Sequence, residues 1–196
     1  FSADPDLKQQ YIGEAKFLRA YFYFDLVRMF GHIPLITAPI EGDNYSIPQA
    51  DPDSVYALIS SDLQEAITDL TASAVPYSQI ASSDYGRVTK WAAESLMGRV
   101  FLYYTGYYSK SALPDGYTKD QAAKAIDDVI SNSGYGLVGH YKDLWRAASL
   151  SDLAGQNNKE AVFAIQYSSA GHGDWNLHNG NRFQVMVGIR NQVLDP

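Results

Sequence analysis

Few residues in this chain have the type and spacing to do covalent chemistry. His172, Asp174 and His178 fall within seven residues and can be written as metal ligands. A histidine site, however, needs fixed geometry and outer hydrogen-bond support, and a Gly/Asn-rich stretch offers neither. The stretch reads as polar loop. Gly134-Tyr-Gly-Leu-Val-Gly139 satisfies G-x-G-x-x-G to the letter, but that motif works only between a preceding strand and a following helix. Here a helical pattern precedes it, so Gly134 reads as a helix C-cap. His32 and His140 each stand beside a turn glycine, and no G-x-S-x-G, H-E-x-x-H or P-loop occurs. Hydrolysis of a glycoside needs two acids facing each other across the bond. Asp51 and Asp53 read as helix-start residues, Glu14, Glu65, Glu94, Asp127 and Asp128 as ordinary helical charge, and Glu41 and Asp43 as loop residues. The expectation is no catalysis, no metal and no cofactor.

Aromatic residues in loops are the sharper signal. Glu41-Gly-Asp-Asn-Tyr-Ser46 and Gly171-His-Gly-Asp-Trp-Asn-Leu-His-Asn-Gly-Asn-Arg182 each set an aromatic ring among amide, carboxylate and imidazole groups. Sugar rings present C–H faces that pack on aromatic rings, and hydroxyls that such polar groups bind. The candidate ligand contacts are Asp43, Asn44 and Tyr45 in the first loop, and Trp175, Asn176, His178 and Asn179 in the second, with Trp175 as the stacking platform. Trp91 and Trp145 fall in helical segments and read as structural.

These loops must be positioned by helices. The segment from Pro5 to Phe30 is apolar or aromatic on nearly every side through Phe17–Val27, the pattern of a helix packed by several neighbours. Gly31 and Pro34 end it. Asp51 and Pro52 open a second helix as N-cap and first residue, with Val55, Leu58, Ile59, Leu63, Ala66, Ile67 and Leu70 along one stripe. A third helix is expected from Val88 to about Tyr104, and a fourth from Lys119 to Ile130. A short one is expected over 141–148, and a strand over 161–167. Met97-Gly98, Phe101, Gly106, Tyr108, Ala122, Ile126 and Val129 follow the tetratricopeptide order, with 109–119 inserted in the turn of the roughly 34-residue repeat. The fold class expected is all-α: a TPR-like superhelical scaffold with long inserted loops. Composition changes near 168, dividing a scaffold (1–168) from a loop-rich region (169–196).

The bulk properties set limits. The chain has 196 residues, no cysteine and a formal charge of −7. That excludes disulfides and thiol chemistry and argues against a phosphate-backbone binder, so no nucleic-acid partner is expected. No apolar run approaches the ~20 residues of a membrane span. Tyrosine outnumbers phenylalanine fifteen to eight. Most tyrosines fall on packed helices, and of those in loops only Tyr45 has sugar-like neighbours.

Glu14-Ala-Lys-Phe-Leu-Arg-Ala-Tyr-Phe-Tyr-Phe-Asp-Leu-Val-Arg-Met-Phe-Gly-His-Ile-Pro-Leu-Ile36 closely resembles the signature helix and turn of the SusD/RagB family. The likeness continues through Ser54–Leu63, Gly86–Lys90, Asp128–Leu137 and Asn158–Ile165, in the family's order. The resemblance implies a surface-exposed outer-membrane lipoprotein that captures glycan or another nutrient and passes it to a SusC-like TonB-dependent transporter. It also implies a longer parent chain, whose lipid anchor would be the only contact with the membrane. A protein-docking scaffold with no ligand site of its own is the alternative.

Overall fold

A computed structural model describes residues 4–40, 42, 46–145 and 157–166. Four helices dominate: α1 Pro5–Phe30, α2 Pro52–Asp69, α3 Lys90–Tyr108 and α4 Lys119–Asn132. Each opens on a side chain that satisfies an otherwise orphaned backbone N–H. Asp4 accepts from Asp6, Asp51 from Ser54, Thr89 from Ala92 and Thr118 from Gln121, the last as a reciprocal capping box.

The pairings run antiparallel. The start of α1 meets the end of α2, where Lys16 Nζ lies 2.7 Å from Glu65 and 2.9 Å from Asp69. The start of α2 meets the end of α3, where the Tyr104 hydroxyl donates to Asp53 at 2.7 Å. The start of α3 meets the end of α4 through Lys90 and Asp128 at 2.5 Å. Successive antiparallel helices of this kind form a TPR-like stack. Close approach depends on two glycines. A Cβ on Gly13 would stand 2.9 Å from both Asp69 Cβ and Leu70 Cγ, and one on Gly98 would stand 2.6 Å from Ile126 Cδ1.

Phe17, Phe24, Val55, Ile59, Leu63, Met97 and Val100 fill the core, each at most 2% exposed. Aromatic rings continue it toward the open end of α3. Tyr56 lies 4.8 Å from Tyr104, 5.8 Å from Tyr108 and 6.3 Å from Phe24. Burial pushes the Tyr56 phenol well above its ordinary range, and its hydroxyl has no partner among the described residues. The inserted loop of the repeat is itself part of the core. Leu113 and Tyr117 are buried there, closed by the Leu113 N–H to Tyr117 carbonyl bond at 2.9 Å.

Three expectations change. The third helix begins at Lys90 and runs on to Tyr108, because Thr89 takes the cap. The short helix is a 3₁₀ turn, Tyr141–Trp145, and 146–148 lie outside the described residues. Residues 161–166 form bends and irregular chain, with no strand; Tyr167 is not described. Their apolar side chains are used differently. Phe163 packs edge-on against Phe17 at 4.9 Å and Tyr21 at 5.8 Å, so the β-branched run serves helix packing. The described residues carry one two-stranded sheet instead, β1 Ile33–Pro34 antiparallel to β2 Gln49–Ala50. The chain divides into two compact units, 1–163 and 164–196.

α1 is less enclosed than its composition suggests. Among the described residues Phe22, Met29 and Phe30 are more than half exposed, and Leu18 and Leu26 about 40%. Among the described residues the covered face is the one presented to α2, Phe163 and the end of α3.

Candidate functional site

The first predicted ligand loop is built between α1 and α2. β1 and β2 clip its two ends together in the register Ile33–Ala50 and Pro34–Gln49, closing residues 35–48 into one loop. The root is fixed again from the helix. The Tyr23 hydroxyl accepts from the Ile36 N–H at 2.7 Å and donates to the Ile36 carbonyl at 3.1 Å. Tyr23 lies one turn before Val27, and Ile33 is 5% exposed, so the root belongs to the packed body. At the far end Asp51 caps α2, and the Ser54 N–H and hydroxyl hold its carboxyl below the usual carboxylate range. Gly31, at φ 72°, turns the chain out of α1 toward this clip.

Asp43, Asn44 and Tyr45, with Glu41, lie outside the described residues, as do Trp175, Asn176, His178 and Asn179, and the trio His172, Asp174 and His178 that reads as polar loop. For the first set the structure describes the flanking segments, paired at Ile33–Ala50 and Pro34–Gln49 and bonded to Tyr23 at Ile36.

The charged groups of the helices are mostly engaged in holding the stack. Arg19 grips Asp62 with two bonds, Nε–Oδ2 at 2.7 Å and Nη2–Oδ1 at 2.6 Å. Glu14 receives both Nε and Nη2 of Arg87, at 3.1 and 2.7 Å. Arg28 pairs with Asp25 one turn away, as the spacing predicts, and its guanidinium lies 4.4 Å from the Phe24 ring centroid.

Glu94 departs from the sequence reading of ordinary surface charge. It is 4% exposed, 3.4 Å from Lys90 Nζ, and its second oxygen has no partner among the described residues. Burial pushes its carboxyl up to about 7, with Lys90 opposing and the neighbouring Asp128 charge adding to the rise. Asp128 is held low by Lys90 and Asn132. A sequence signal existed: Glu94 stands among Trp91, Ala93, Met97 and Val100, all on the buried side of α3, so its carboxylate shares an apolar surface. Glu94 also borders a shallow pocket of about 320 Å³ with Gln64, Thr68, Tyr117, Gln121 and Lys124. Among the described residues no three His, Asp or Glu side chains converge as a metal site.

Against this architecture, the comparisons with known proteins are decisive for the family. A family model of SusD-like proteins, described as starch-binding and associating with the outer membrane, matches residues 2–102. The chain belongs to the SusD-like family. A SusD-like protein of Bacteroides ovatus is 30% identical over 165 residues, covering 84% of this chain and 27% of its own length. A solved laminarin-binding SusD-like protein shares 30% identity and superposes with a TM-score of 0.71 over 91% of this chain and 35% of its own. Another solved structure, with a xylogluco-oligosaccharide, is 27% identical with a TM-score of 0.68, covering 88% of this chain and 32% of its own. The helical stack is thus the SusD-like, TPR-like fold. The chain spans less than a third of the length of the curated relatives it matches.

Proposed function

We propose that this SusD-like chain is the scaffold part of a glycan-capturing protein, binding an oligosaccharide without breaking a bond. The observation that carries the reading is the fold shared, over nine-tenths of the chain, with a laminarin-binding relative. A ligand loop clipped at its root to that fold supports it. In this reading Tyr45 and Trp175 offer ring faces to the sugar, while Asp43, Asn44, Asn176, His178 and Asn179 bond its hydroxyls. The place of action is the outer face of the outer membrane, with lipid anchoring through the longer protein and delivery to a SusC-like TonB-dependent transporter.

Calorimetry of the chain against starch, laminarin and xyloglucan tests the reading. The expected result is saturable heat with at least one glycan, reduced about tenfold or more in affinity by Tyr45→Ala or Trp175→Ala, the usual cost of removing an aromatic anchor. Absence of heat with every glycan, with the transporter still co-purifying, would favour the second reading: a docking scaffold for the transporter. One observation speaks for that alternative, the exposed apolar stripe Leu18, Phe22, Leu26, Met29 and Phe30 on α1.

A further inference from the structure

α2 and α4 both pack against α3 and leave between them the cleft that Glu94 borders. Gln64 and Thr68 of α2 stand on one wall, Gln121 and Lys124 of α4 on the other, and Tyr117 of the inserted loop joins them. Among the described residues Glu94 is the single contribution of α3 and is 4% exposed, so it forms the floor. One of its carboxylate oxygens is engaged by Lys90. The other is buried without a partner, the condition of just two side-chain polar atoms among the described residues. The second such atom, Tyr56 Oη, belongs to the aromatic core, whereas Glu94 lines open space. Buried polar atoms pair with protein or ordered water in about nine cases of ten, so the space beside this one suits a hydrogen-bonding occupant.

The walls are held in place, and each keeps a free function. Gln64 Nε2 donates to Asp115 at 2.8 Å and to Ser60 at 3.3 Å, and Asp115 also takes the Tyr117 backbone N–H at 3.2 Å. The Gln64 side-chain carbonyl accepts nothing among the described residues. Gln121 is fixed the other way round. Its Oε1 accepts from the Thr118 N–H and hydroxyl, each at 2.9 Å, which leaves both amide N–H donors free. Neither the Tyr117 hydroxyl nor the Lys124 ammonium has a partner among the described residues. One cleft thus offers a carbonyl, an amide NH₂, a carboxyl, a phenol and an ammonium. A cation has no acceptor for Gln121 or Lys124, and an anion no donor for Gln64. A hydroxyl group gives and takes a hydrogen bond, so adjacent hydroxyls match the mixed set. Burial pushes Glu94 toward its neutral form, in which it too gives and takes. Ile67 and Ala125 add apolar area for ring C–H groups. At about 320 Å³ the cleft stands at the low end of small-molecule sites, room for one ring and not for a chain.

We propose that the cleft between α2 and α4, floored by Glu94, binds a small neutral polyol the size of one pyranose ring. The site is separate from the candidate ligand loops, and the proposal stands or falls without them.

The test is an NMR titration of the full chain with glucose, galactose, xylose and myo-inositol, following backbone amide shifts. At least one probe should give saturable shifts at Gln64, Thr68, Tyr117 and Gln121, with a Kd on the order of a millimolar. Glu94→Met, close in length and without the polar floor, should weaken that binding about tenfold. Should Glu94→Met disturb the fold, Lys124→Met decides the matter, because Lys124 holds no bond within the stack; a severalfold loss is expected. Absence of shifts at these residues with every probe at about 100 mM, a hundred times the expected Kd, overturns the proposal and leaves a cleft that holds water only. Affinity unchanged in both variants overturns it as well. Cleft shifts in a chain that gives no heat with starch, laminarin or xyloglucan would uphold this site while removing the loop reading.

Discussion

The guanidinium of Arg19 on α1 and the carboxylate of Asp62 on α2 meet in a two-bond fork, 2.7 and 2.6 Å, with the Asp62 side chain only 3% exposed. Asymmetry is the important property of such a pair. Removing one partner leaves a desolvated charge, whereas replacing both with apolar groups of similar volume is often close to neutral. Arg19→Ala should therefore destabilise the chain by about 2 kcal/mol, read as a lower urea midpoint at constant slope. Arg19→Met with Asp62→Leu should recover most of that loss. A double variant no better than the single would mean that the pair does more than satisfy Asp62.

Glu94 sets a pH dependence of definite sign. Its carboxyl titrates near 7 in the folded chain against 4.5 for the free group, so the folded state holds the proton more tightly. That contribution is complete below about pH 4.5, falls as pH rises through 7, and is absent above. The groups facing it are Lys90 on its own helix, Asp128 on α4, and Tyr117, whose phenol burial and the Glu94 charge push upward. The difference in unfolding free energy between the unmutated chain and Glu94→Gln should shift by on the order of 2–3 kcal/mol between pH 4.5 and 8. The unmutated chain is the one that loses relative stability as pH rises. Asp128, Asp51 and Glu65 are shifted the other way, which is why the comparison is between variants and not the raw profile. A constant difference across that range would show that Glu94 titrates normally.

Gly98 permits the contact between α3 and α4. A methyl group there would stand 2.6 Å from Ile126 Cδ1 and 2.8 Å from Cγ1, so Gly98→Ala should cost about 1–2 kcal/mol by overpacking. Ile126→Ala in the same chain should relieve the clash. Thermal unfolding of the two single variants and the double variant, read as a cycle, gives the coupling; simple additivity would contradict the close approach.

Tyr23 ties the ligand loop to α1. Tyr23→Phe removes both bonds to Ile36 and should cost about 1 kcal/mol. Its more specific consequence is faster amide exchange at Ile36 than in the unmutated chain, with the middle of α1 still protected. Unchanged exchange at Ile36 would show that β1 and β2 hold the root without help.

Helix positions were legible because caps and stripes are local: Asp51-Pro52 announces its helix by chemistry within four residues, whereas the Thr118–Gln121 capping box emerged from the structure. The Arg28–Asp25 pair was legible because it too is local. Arg19–Asp62 and Arg87–Glu14 were not, since their partners are 43 and 73 residues apart and only the helix stack brings them together. The segment 161–166 misled because β-branched residues suit a strand and a buried edge equally; Phe163 found Phe17 before any strand partner. Tyr117, placed by sequence in an open loop, is buried because the insertion folds back on the core. Tyr107 shows the reverse. Its neighbours Tyr104 and Tyr108 are packed inward, and helical rotation alone turns it to solvent. The loop root was legible as a Pro/Gly-rich connection, but the clip by β1 and β2 and the Tyr23–Ile36 bonds join residues that sequence gives no reason to pair.

Hydrogen exchange of the full chain, with and without a saturating glycan from the starch, laminarin and xyloglucan set, tests the central claim most directly. The account predicts slowed exchange in peptides covering 37–50 and 171–182 when glycan is present. Saturable glycan binding with exchange unchanged in both peptides would contradict it.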